Sequence, residues 1–79
     1  MDDLDKLADE LAKDVIEVAR RLKDDIVIET VAQSLGEGSQ IAEEKFMSAV
    51  RFRRSITKAR GVLADYIKTA KSQHASKAE

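Results

Sequence analysis

The chain has 79 residues, 37% of them charged and 43% hydrophobic, with no cysteine, no proline and three glycines. Fourteen Lys/Arg against fifteen Asp/Glu leave a net charge of −1. That length allows one thin domain, and the composition argues against a disulfide framework, a cysteine-based zinc site and, with His74 the single histidine, a histidine-rich metal centre or a Ser-His-Asp triad.

The residue types are those of a helical protein: Ala, Leu, Glu, Lys, Arg, Asp and Ile dominate. From Leu4 the apolar seats run Leu4, Ala8, Leu11, Val15, Val18 and Leu22, at steps of 4, 3, 4, 3 and 4. That spacing is a heptad seam. Asp2 is the expected N-cap, and Asp2, Asp3 and Asp5 suit the positive end of a helix dipole. The next two seats would be Asp25 and Glu29, which burial disfavours, and the apolar residues resume out of phase at Ile28, Ala32 and Leu35. The preferred reading is one continuous helix over about 2–35 that carries a stutter here. The alternative is a break at Asp24-Asp25, with Asp25 capping a short second helix.

Gly36-Glu37-Gly38 is the one clear turn, with Gly36 fitting a left-handed C′ position and Ser39 an N-cap. A second helix then spans about 39–72. Ala42, Ala49, Ile56, Leu63 and Ala70 hold one heptad seat; Phe52, Ala59 and Tyr66 hold the other. Phe46, Val50, Val62 and Ile67 stand on the flanks. The tail 73–79 is polar and expected to fray.

These elements predict an all-α chain: a long antiparallel helical hairpin as a single domain, with a three-helix bundle broken near Asp24-Asp25 as the alternative. Two long helices cannot enclose so wide an apolar stripe, so the hairpin is expected to dimerise into a four-helix bundle. The expected core, within and between chains, is Leu11, Val15, Val18, Leu22, Phe52, Ile56, Leu63 and Tyr66.

Charge is segregated. Residues 1–35 hold ten acids and five bases, and residues 36–79 hold five acids and nine bases. In an antiparallel hairpin the acids of the first helix would face Lys58, Arg60, Lys68 and Lys71. The same register brings Arg20, Arg21 and Lys23 level with Arg51, Arg53 and Arg54, a belt of six positive charges. Such a belt offers itself to an acidic protein surface or a nucleic-acid backbone; the plain alternative is a solvated face balanced by nearby acids.

No catalytic constellation is legible. His74 has no carboxylate three or four residues before it, the adjacent acid pairs diverge on a helix, and Gly36-Glu37-Gly38 is too short and too acidic to cradle phosphate. Gly61 lies mid-helix on an outward seat, either a tolerated weak spot or a point of close approach by a partner. The longest unbroken apolar run is three residues, as at Ile26–Ile28, so nothing reads as membrane-spanning and a cytoplasmic location is expected. The sequence therefore points to a non-enzymatic regulator of adaptor, inhibitor or anti-activator type. It is expected to need no cofactor or metal and to bind itself and a larger protein. A regulator that binds RNA or DNA through the basic belt is the alternative.

Overall fold

The computed structural model describes residues 3–77, with side chains described through residue 73. It is all-helical: α1 spans Asp3–Leu22, α2 spans Ile26–Gly38 and α3 spans Gln40–Lys77. All three helices touch one another. The Cα envelope measures 63 × 30 × 13 Å, and its long axis reflects the 38 residues of α3, about 57 Å at 1.5 Å per residue. The Asp2 cap and the His74 side chain lie outside the described residues, whereas α3 itself continues five residues past the expected end at Ser72.

The continuous first helix is not what forms. α1 stops at Leu22, and Lys23 turns left-handed with φ 54°. The Asp24 N–H then donates to the Ala19 carbonyl at 3.1 Å, and the Lys23 N–H donates to the Arg20 carbonyl at 3.3 Å. This is a Schellman closure with lysine where glycine is usual. Asp24, not Asp25, provides the side-chain cap for α2: its carboxylate accepts from the Ile26 N–H at 2.9 Å. The break lets Ile28 and Ala32 turn inward, which the old phase would have forbidden. A left-handed lysine is strained relative to glycine. Lys23→Gly is therefore expected to raise stability by about 0.5–1 kcal/mol, readable as a higher urea midpoint at unchanged slope.

The second joint is a single residue. Helical backbone runs through Gly36 to Gly38, so Gly36 is not a left-handed C′ residue; no glycine among the described residues has positive φ. Ser39 is extended at φ −162°, ψ 114°, and its N–H closes α2 onto the Leu35 carbonyl. Its hydroxyl accepts from the Ala42 N–H at 3.1 Å. One serine thus ends α2 and caps α3, as serine's short polar side chain allows.

Directions follow from the cross-helix contacts. Gly36 lies against Glu43 and Asp25 pairs with Arg54, so α2 runs antiparallel to α3. Asp5 pairs with Lys45 and Asp9 with Arg53, so α1 ascends alongside α3 in the same sense. The acids of α1 therefore meet the first half of α3 rather than Lys58, Arg60, Lys68 and Lys71.

The core is built from Ala8, Ala12, Val15 and Ala19 of α1, Ile28 and Ala32 of α2, and Phe46 and Val50 of α3. Phe46 is 0% exposed. The buried stripe of α1 is offset from its most regular seam towards alanines, whose small side chains leave room for a ring. No buried residue lies beyond Val50 among those whose side chains are described. Past the level of Thr57, α3 projects as an arm that neither α1 nor α2 covers.

Candidate functional site

Within this chain, only Val15 of the expected core residues is buried, and Leu11 is half-buried. Val18, Leu22, Phe52, Ile56, Leu63 and Tyr66 are exposed, with Phe52 at 67%, Leu63 at 57% and Tyr66 at 72%. The reason lies in the two apolar faces of α3. Phe46 and Val50, four residues apart, sit on one face and are taken by α1 and α2. Ala49, Phe52, Ile56, Ala59, Leu63, Tyr66 and Ala70 sit on the other at strict 3-4 spacing, about 130° around the axis at 100° per residue. That second face is the heptad seam; Ala49 at its start is half-buried against the core cluster, and from Phe52 to Tyr66 the seam stays open. Val62 and Ile67 widen it, both exposed.

Beside the seam, α1 and α3 enclose an open groove. Ile16, Ile41, Phe52 and Ile56 contribute apolar surface to it, while Asp5, Asp9, Glu44, Lys45, Arg53 and Arg60 add charge. The apolar seam therefore continues sideways onto α1. Leu4, the first seat of the α1 seam, is exposed as well, and so are Leu7 and Ile26, which lie off that seam.

The six residues of the expected basic belt divide. Arg20, Lys23 and Arg54 line one shallow groove at the end of α1, but Asp24 and Asp25 line it with them. Arg20 donates to Glu17 through Nε at 3.1 Å and Nη2 at 2.6 Å, and Arg21 reaches the same carboxylate at 3.1 Å. Arg53 forms a bidentate pair with Asp9, both bonds 2.7 Å. Arg54 grips Asp25 at 2.8 and 3.2 Å. Lys23 and Arg51 alone have no ion pair among the described residues. Four of the six charges are thus matched by carboxylates.

Those pairs set the titration of their acids. Hydrogen bonds from Arg20 and then Arg21 lower Glu17 from 4.5 to about 2. Arg53 lowers Asp9 and Arg54 lowers Asp25, in each case first through the hydrogen bond. Depressed carboxylates stabilise the fold fully above their unfolded values and lose that contribution as pH falls through the folded ones. The melting temperature is expected to be flat above pH 5 and to fall as pH drops below about 4.5 towards 2. Carboxyl NMR titration should show Glu17 protonating far below its ordinary range, with Asp9 and Asp25 shifted in the same direction. An unchanged melt down to pH 2 would mean these pairs are idle.

No group of three or more potential metal ligands occurs among the described residues. No helix among them is long and apolar enough to cross a membrane. No protein-family model matches the chain, and neither a curated protein nor a solved structure matches it.

Proposed function

We propose that the chain is a small non-enzymatic protein-interaction module, a regulator of the adaptor or inhibitor kind, which acts by laying the apolar seam of α3 against a helix of another protein chain. One observation carries this reading: a regular heptad face, Phe52 to Tyr66, stands exposed on a helix that already gives another face to the chain's own core. A contiguous apolar surface of that extent is costly in water and marks an interaction site, and an amphipathic helix is suited to helix-in-groove docking. The nucleic-acid alternative has less support, because Asp9, Glu17 and Asp25 offset half of the charge of the belt it would use, and nucleic-acid modules are usually decidedly basic.

The test is a double substitution on the seam, Ile56→Lys with Leu63→Lys. Both residues are exposed in the single chain, at 42% and 57%. Each change is expected to alter the chain's own stability by no more than about 0.5 kcal/mol, with helicity by circular dichroism retained. Protein association by the tagged chain, with itself or with others, should be lost, while an Arg51→Glu control binds normally. Binding of duplex DNA or structured RNA that weakens steeply with salt and disappears in the Arg51→Glu chain would instead favour the alternative.

A further inference from the structure

Resting on the reading of α3 as a docking helix, the geometry points to a second copy of this chain as the occupant. The copy lies antiparallel along the seam, so that each projecting arm covers the α1–α3 groove of the other chain. Two separate patterns select this arrangement.

The first is size. In an antiparallel pair, the two kinds of heptad seat face one another across the axis. With the two-fold axis between Thr57 and Lys58, Ala49 meets the partner's Tyr66, Ile56 meets the partner's Ala59, and Phe52 meets the partner's Leu63. Two of these three layers set a small side chain against a large one, the interdigitation that close packing requires. A parallel pair would stack Phe52 on the partner's Phe52 and leave Ala59 opposite the partner's Ala59, crowding one layer and hollowing the next.

The second is charge. α1 carries six carboxylates against Lys6, Lys13, Arg20 and Arg21, and of these acids Asp3, Glu10 and Asp14 stand outside the ion pairs already described, whereas the arm from Lys58 to Gln73 carries four cations against Asp65. An antiparallel pair lays each basic arm over the partner's acidic α1, with Lys71 arriving at the level of the partner's Glu44. A parallel pair sets the two basic arms side by side, and like charges at close quarters select against that partner geometry. The groove beside the seam, with Ile16 and Phe52 on its walls, then becomes part of the interface rather than an open cleft.

The chain contains no cysteine, so introduced thiols report orientation without background. Ala49→Cys and Tyr66→Cys chains, mixed in equal amounts and oxidised, should give the mixed disulfide several-fold above either homodisulfide. A nitroxide on Lys71→Cys leaves the seam intact and supplies a second readout: about 40 Å between labels for the antiparallel pair at 1.5 Å per residue, against about 10–15 Å for a parallel one, given interaxial spacings of 8–10 Å. Homodisulfides with the short label distance would overturn the orientation. A chain that scatters light as a monomer at high micromolar concentration would overturn the second copy as occupant. The docking reading itself falls only if the Ile56→Lys, Leu63→Lys chain also keeps every protein interaction of the natural one.

Discussion

Phe46→Ala is expected to cost the chain about 3–5 kcal/mol, the range for truncating a fully buried aromatic residue. The ring is 0% exposed and shares one buried cluster with Ala12, Val15, Ala19, Ile28, Ala32 and Val50. Alanine would leave a void that helices already lined with small residues cannot refill. Chains are stabilised by roughly 0.05–0.15 kcal/mol per residue, so a loss of this size consumes most of the margin of so short a chain. Urea or thermal melts at pH 7 should show a truncated or absent cooperative transition. Leu63→Ala, by contrast, should leave the melt of the dilute chain nearly unchanged, although Leu63 holds the more regular heptad seat. If the two variants ranked the other way, the buried face of α3 would be misplaced.

Ile28→Ala should be the second most damaging change, at about 2–5 kcal/mol. Ile28 is 4% exposed and is the one large buried side chain that α2 contributes, its other buried residue being Ala32. With α2 only 13 residues long, a helix of that length is marginal in water without tertiary packing. Amide exchange should therefore show α2 losing protection first in this variant. Ile26→Ala is the control: Ile26 is exposed at 63%, and its loss should pass almost unnoticed.

Much of the local structure was legible in the residues. The helical class, the punctuation by Ser39 and the out-of-phase Asp25 and Glu29 all follow from spacing and side-chain chemistry. The choice between a stutter and a break at Asp25 was not legible, because the closure uses Lys23, and nothing in a lysine announces a left-handed backbone. The direction of α1 was also hidden. Its acids find cations in either sense, Lys68 and Lys71 one way, Lys45 and Arg53 the other, and only the two sharp joints decide between them. The face of α3 that this chain itself buries was hidden for a related reason. Its most regular seam, through Phe52, Ile56, Leu63 and Tyr66, is the conspicuous one, whereas the face this chain covers is short and carried mainly by Phe46 and Val50. Arg20, Lys23 and Arg54 of the belt did come together, beside Asp24 and Asp25, but through parallel α1 and α3 and with carboxylates attached.

The one-residue joint at Ser39 also bears on the order of assembly. Contacts between α2 and α3 begin only a few residues apart along the chain, so closing them sacrifices little chain entropy, and such local contacts form fast. The contacts of α1 with α3 join residues as far apart as Asp5 and Lys45 or Asp9 and Arg53 and must wait for a larger loop to close. The α2–α3 pair, and the α1–α2 pair across the short joint at residues 23–25, are thus placed to form before the contacts of α1 with α3, which close last and open first. Acid, by protonating Asp9, acts on that final latch.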